Sequence, residues 1–370
     1  MTNAVNLASA SATGFSGRNR IINGAMVVDQ RNAGAAVTVT GAGGYFYATD
    51  RFINYNNTGT SFTSQQVADA PVGFVNSTKL TFASAISLTT TGEATFQQII
   101  EGYNVADLNW GSANAKTITA SFWVKASYTG TFSVGFTNGS GTRAYGTTYT
   151  ISAANTWEYK TVTIPGDTSG TWLTDNSSGL FLRFNILTGS NFQVSSNNAW
   201  TTRAGSYNGT DSIYGTKAIG AATSISAGST WQITGVQLEV GTVATPFERE
   251  IYSNTLAKCQ RYYTKLGSDG GVFTSVGTGI VNSSSSVQGA VIRLPVTMRT
   301  QPTITFSNMR VYDGASASTI SSISGTTIVS SGNAMGFDAA CSPAVLTAFR
   351  PCVIQGDNST AAFFAASAEL

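Results

Sequence analysis

The chain has 370 residues, only 10% of them charged, and a formal net charge of +2. An average soluble protein is about 25% charged; here Ser and Thr make up about a quarter of the chain with 39 Gly beside them, so the surface is polar without being charged. So small a net charge gives no field to draw the chain onto nucleic acid or an anionic membrane, and the lack of histidine excludes histidine zinc sites, Ser-His-Asp and Cys-His catalysis, and histidine pH switches.

The opening residues 1–17 are small, polar and poorly patterned, as expected of an attachment segment that orders on docking. They lack the basic and apolar regions of a secretory signal. No apolar run reaches the roughly 18 residues of a spanning helix, so a soluble product folding in a reducing cytoplasm is expected, without membrane insertion.

Residues 18–247 carry the period of β structure. Ile118, Ala120, Phe122 and Val124 fall on one side of a strand, with Thr117, Thr119 and Ser121 on the other. Phe132, Val134 and Phe136 repeat the pattern, as do Leu180, Leu182, Phe184 and Ile186. Gly, Asn and Ser clusters break these runs, which predicts an all-β protein of antiparallel sandwiches. Trp123, Trp157 and Trp231 lie in alternating strands and are expected in the core.

Residues 248–265 depart from that pattern, with six charged residues in eighteen. Tyr252, Leu256, Cys259 and Tyr263 stand at helical spacing, with Ser253 placed to cap. A helical connector between two β domains is expected; a surface helix on one domain and a helix around a three-fold axis stay open.

Residues 266–370 read as a smaller β-sandwich. Val291, Ile292, Leu294 and Val296 form one apolar stretch and Ile304 and Phe306 another, and Pro295 and Pro302 mark strand ends. The Ser/Thr-rich run 314–332 suits exposed hairpins. Cys259, Cys341 and Cys352 are too few for a disulfide framework. They read as small buried hydrophobes, with a Cys341–Cys352 pairing left open.

A search for chemistry finds no paired carboxylates of the kind glycoside hydrolysis needs. Acids in contexts such as Gly166-Asp167-Thr168 read as turn formers. Gly41, Gly43 and Gly44 have neither a P-loop lysine nor a βαβ setting. Calcium held by loop Asp side chains and carbonyls stays open, although no EF-hand pattern occurs. No catalytic residue, metal site or cofactor is implied.

The richest stretch is 195–216, which offers Trp200, Arg203, Tyr207, Asp211 and Tyr214 between strands. Sugars are bound by an aromatic platform with planar polar side chains on their hydroxyls, and this loop holds both. Arg143 and Tyr145, in the loop 138–147, join it as carbohydrate-binding candidates. The alternative is that Trp200 and Tyr214 pack beneath the loop as a satellite core.

Several blocks carry a family likeness. Asn19-Arg20-Ile21-Ile22-Asn23-Gly24-Ala25-Met26, Asp29-Gln30-Arg31 and Ala48-Thr49-Asp50-Arg51-Phe52, then ITASFWVKAS (118–127), NTWEYKTVTIP (155–165), ITGVQLEVGTVATPFERE (233–250), KCQRYY (258–263) and PVTMRTQPT (295–303) resemble bacteriophage tail-fibre-like virion proteins of marine type, which carry a carbohydrate-binding-module-like jelly roll. The resemblance implies a jelly roll over 18–247 and a further β domain after it. It also implies a place on the virion surface, a homotrimer, a host surface glycan as ligand, and other virion proteins held through the N-terminal segment. A non-enzymatic adhesin is expected. A head fibre, spike or decoration protein and, less readily, a depolymerase are the alternatives.

The shared residues themselves read as scaffold: Asn23-Gly24 as a tight turn, Asp50 and Arg51 as an internal pair, Gln237 and Glu239 along a last strand. Trp200 also matches a tryptophan common in that family before the closing strand, which favours its core reading.

Overall fold

The computed structural model describes residues 17–370 apart from 88, 195, 203–223, 268–270 and 329–332. Residues 118–126 form the strand that their alternation predicts, with Ile118, Ala120, Phe122 and Val124 each at most 1% exposed. The same rule builds the rest of the first of two units, which runs to Tyr252.

Its strands in chain order begin with β1 (Val37–Val39), β2 (Tyr45–Thr49), β3 (Phe52–Asn56), β4 (Phe62–Val67) and β5 (Ser77–Phe82). Next come β6 (Ile86–Ser87), β7 (Glu93–Glu101), β8 (Ile118–Ala126), β9 (Gly130–Asn138) and β10 (Arg143–Ile151). The last are β11 (Glu158–Ile164), β12 (Ser178–Thr188), β13 (Trp200–Thr202), β14 (Ser224–Ile225) and β15 (Ser229–Val240). One antiparallel sheet has the order β1-β4-β5-β15-β8-β11 and the other β13-β10-β9-β12-β7-β3-β2, a jelly-roll sandwich with the small ribbon β14-β6 beside it.

Aromatic side chains join the two sheets. Phe122 of β8 meets Phe184 of β12 edge to face at 4.9 Å, and Phe96 of β7 meets Trp231 of β15 at 5.8 Å. Trp231 is fully buried and donates its indole N–H to the Tyr149 hydroxyl at 3.3 Å. Each such apolar side chain contributes about 1.5–3 kcal/mol of burial.

Residues of the motif blocks act as latches. Asn23, at φ 61°, donates to the Val28 and Asp50 carbonyls and accepts from the Val27 and Val28 amides. A Cβ on Gly24 would stand 2.1 Å from the Val236 carbonyl oxygen, so only glycine fits. Asp50 pairs with Arg31 at 3.2 Å, and Arg51 donates to the Ile99 carbonyl. Gln237 and Glu239 of β15 tie down the exit segment: Glu239 accepts from Thr245, and Gln237 accepts from the Glu248 amide.

The second unit spans Ser253–Glu369. Helix α1 (Tyr252–Gln260) has nine residues, half the length of the charged segment, and the chain continues as β16 (Tyr263–Leu266). Thr255 and Cys259 are the residues α1 buries, whereas Tyr252 is exposed. Then follow β17 (Ser275–Ser283), β18 (Ser286–Arg293), β19 (Thr303–Ser307), β20 (Met309–Tyr312), β21 (Ala317–Ile328), β22 (Ala334–Ser342), β23 (Pro351–Gly356) and β24 (Phe363–Ser367).

The expected second sandwich is instead a closed barrel, β17-β18-β22-β21-β20-β23, with a three-stranded sheet β16-β24-β19. Closure comes from β17 pairing with β23, while Gly277 and Gly279 let β17 lie close against β18. A Cβ on Gly277 would stand 2.6 Å from the Val291 carbonyl, and one on Gly279 2.8 Å from the Val287 side chain. The run expected as exposed hairpins contributes the long barrel strand β21. All three cysteines are buried thiols outside any disulfide, and burial pushes the Cys341 thiol up to about 11.

Candidate functional site

β13 sets Trp200 opposite Tyr145 and Thr202 opposite Arg143. Trp200 lies 5.3 Å from the Tyr145 ring and edge-on to Trp110 and Trp172, at 5.2 and 5.5 Å. Tyr145 is only 3% exposed, and burial pushes its phenol up. Arg143 presents two nitrogens to Asp167, both at 2.7 Å, and donates a third bond to Thr202. Arg143 and Tyr145 thus form wall and salt bridge instead of reaching outward, because alternation along β10 puts them on the inner face with Tyr149 and Ile151. Trp200 is half-buried in the aromatic cluster. The remaining candidates, Arg203, Tyr207, Asp211 and Tyr214, lie outside the described residues.

A second cluster escapes the sequence reading. Strand register aligns Ile53, Gln97, Arg183, Gly135 and Gly146 across β3, β7, β12, β9 and β10. The next row aligns Tyr55, Thr95, Asn185, Ser133 and Thr148. These side chains alternate with core residues such as Phe96, Phe184 and Val134, so they occupy the outer face of the seven-stranded sheet.

That face is polar yet enclosed: Glu93, Thr95, Gln97, Arg183, Asn185, Ser133 and Thr137 are all under a tenth exposed. Phe192 and Val194 pack over Ala144, and the Asn198 amide donates to the Gly146 carbonyl. Arg183 donates to Gln97 Oε1 at 2.7 Å and to Thr137 Oγ1 at 2.6 Å, with its guanidinium 4.2 Å above the Phe181 ring. Burial pushes the Glu93 carboxyl up to about 7, against the opposing pull of Arg183.

Two hydroxyls on this face, Ser133 Oγ and Thr188 Oγ1, are buried without a hydrogen-bond partner among the described residues. An orphaned buried hydroxyl costs free energy that a ligand or water can restore. The signal for this cluster lies in the sequence, in Arg183 and Asn185 alternating with Leu182, Phe184 and Ile186.

A fork of guanidinium donors, an amide, a protonatable carboxyl and free hydroxyls suit a neutral polyhydroxylated ligand. Two-carboxylate hydrolysis needs a second carboxyl within about 10 Å. The next on this face of β7 is Glu101, eight positions along and therefore about 27 Å away. Among the described residues no three Cys, Asp or Glu converge to hold a metal.

Trp123 and Trp157, expected in the core, lie half-buried outside the six-stranded sheet. Trp123 meets Tyr159 at 5.4 Å. Trp157 donates its indole N–H to Asp69 at 3.3 Å, and Lys125 bonds Asp69 while standing 5.1 Å above the Trp157 ring. An indole takes this position because it covers the sheet with its body and keeps its N–H at a polar partner. The Lys125 bond holds the Asp69 carboxyl below the usual range.

No protein-family model matches the chain, and no curated protein does. Among solved structures, it is similar to the enzymatically active domain of tailspike protein 4 of bacteriophage CBA120, at 15% identity and a TM-score of 0.31, over 61% of this chain and 22% of that one. It is similar to a family 4 carbohydrate-binding module at 14% identity and a TM-score of 0.28, over 59% of this chain and 98% of the module. It is similar also to the family 11 carbohydrate-binding module of Clostridium thermocellum, solved with a mixed-linked tetrasaccharide, at 13% identity and a TM-score of 0.27, over 57% of this chain and 98% of that one.

Proposed function

We propose that the chain is a phage virion surface protein, a trimeric adhesin that binds host cell-surface polysaccharide without cleaving it. The observation that carries this reading is the outer face of the seven-stranded sheet, where Arg183, Gln97, Glu93 and the orphaned Ser133 hydroxyl are held in a preset, water-poor arrangement. Donors fixed in advance lose little entropy when a ligand's hydroxyls replace water. The motif blocks of residues 19–303 and the Ser/Thr-rich, weakly charged surface support the virion part of the reading. Adhesion through uncharged groups varies little with salt, and several copies on one particle multiply weak contacts.

The N-terminal segment would hold other virion proteins.

The test is retention of the purified, full-length protein on host cells and on arrayed neutral polysaccharides, with competition against phage adsorption. Arg183→Ala is expected to lower retention at least tenfold while the protein remains folded by thermal melt. Absence of retention, or equal retention by a folded Arg183→Ala, overturns the reading. Release of oligosaccharides would replace the adhesin with a depolymerase.

A further inference from the structure

A cavity of about 230 Å³ opens at the end of the sandwich, between the loop that follows β7 and the loop that follows β11. Its floor is apolar, with Leu108 and the rings of Trp110 and Trp172, and its rim carries Asn109, Ser112 and Thr174. None of the ten residues lining it is charged.

The walls are set before any ligand arrives. Backbone bonds pin the two loops together: the Gly111 amide to the Asp167 carbonyl at 2.7 Å, Tyr103 to Asp175 at 2.8 Å, and Gly102 to Ser177 at 2.9 Å. Gly111, at φ 85°, lets the loops meet, since a Cβ there would stand 2.6 Å from the Gly170 carbonyl. Trp110 and Trp172 cross at 80° with 4.6 Å between centroids. Their indole N–H groups are already committed, to the Lys116 and Ser169 carbonyls. The rings therefore offer faces and edges, and not donors, to the cavity.

We infer that this cavity is a second binding site, for one neutral pyranose ring. Trp172 and Trp110 would take the ring's C–H side, and Thr174, Asn109 and Ser112 its hydroxyls. Three features select that ligand. An uncharged lining offers nothing to neutralise a uronate or a phosphate, which would be desolvated at a cost. An aromatic floor with hydroxyl and amide groups on the rim matches a molecule apolar on one side and hydroxylated at its edge. The volume lies below the roughly 300–1,000 Å³ of sites for drug-sized ligands, so it fits a single ring, free or at the end of a glycan chain. The site shares no residue with the polar sheet face and stands or falls apart from it.

The test is titration of the full-length protein with methyl glycosides of glucose, galactose and mannose, and with oligosaccharides ending in the same sugars. Binding is read from the indole ¹H–¹⁵N signals of Trp110 and Trp172. At least one neutral glycoside is expected to shift both signals saturably at about 10 mM, tenfold above a millimolar Kd, while methyl glucuronide leaves them unmoved. Tighter binding of the oligosaccharide identifies a chain end as the source, and binding of the glycoside alone identifies a free sugar; both support the site. Thr174→Trp, an exposed rim substitution that fills the cavity, is expected to weaken binding at least tenfold, as is Trp172→Ala. Signals unmoved by every neutral glycoside, or shifts that persist in Thr174→Trp, overturn the inference. Loss of the glycoside response in Arg183→Ala, with Thr174→Trp unaffected, would assign the sugar to the sheet face.

Discussion

Arg143 of β10 and Asp167 of the loop after β11 are joined by two bonds of 2.7 Å, with side chains 10% and 3% exposed. The same carboxylate accepts from the Ser169 amide at 3.1 Å, and the Asp167 carbonyl accepts from Gly111. One ion pair therefore fixes the loop that carries Trp172 and the strand that carries Tyr145.

Removing one partner of so enclosed a pair leaves an uncompensated charge. Asp167→Asn is expected to destabilise the first unit by about 3 kcal/mol, seen as a lower midpoint in urea with an unchanged slope. Arg143→Met with Asp167→Leu removes both charges together and is expected to recover most of that loss. A single substitution costing under about 0.5 kcal/mol would mean that the pair is solvated in solution.

Glu93 gives a pH signature. Its carboxyl lies at about 7 in the folded chain against an ordinary 4.5, chiefly through burial. Between those values the folded chain holds a proton that the unfolded chain has lost, so stability falls as pH rises. The contribution is intact below pH 4.5 and is lost in full above about pH 7, a span worth about 3 kcal/mol. Glu93→Gln cannot ionise. Relative to that variant, the wild-type chain is expected to lose stability between pH 4.5 and 7.5 by denaturant titration. Parallel profiles for the two proteins would place Glu93 in contact with water.

What the sequence makes legible is the buried half of each strand. Leu180, Leu182, Phe184 and Ile186 declare β12 because burial imposes a period of two. The other half is silent. Arg183 and Asn185 stand between those residues, yet an outward polar side chain looks solvated until register brings Gln97 and Thr137 beside it. Of the seven sugar-site candidates, Arg143 and Tyr145 lie on the inner face of β10 with Tyr149 and Ile151, and Arg143 meets Asp167 there in a pairing that no local pattern announces. Barrel closure is hidden for the same reason. It depends on β17 meeting β23 across a long stretch of chain.

The tryptophans show the limit most directly, since alternation places Trp123, Trp157 and Trp231 alike. Trp231 is fully buried between the sheets, whereas Trp157 rests on the outer surface against Asp69 and Lys125. Trp231→Ala should therefore open a cavity at a cost of about 3–5 kcal/mol. Trp157→Ala should cost about 1–2 kcal/mol, the scale of an exposed cation–π contact and one hydrogen bond. Acrylamide quenching supplies an independent check, because Trp157→Ala removes an accessible fluorophore and Trp231→Phe a protected one. The accessible fraction of emission is expected to fall in the first variant and rise in the second. The reverse pattern would mean that the six-stranded sheet turns its Trp157 side to the core.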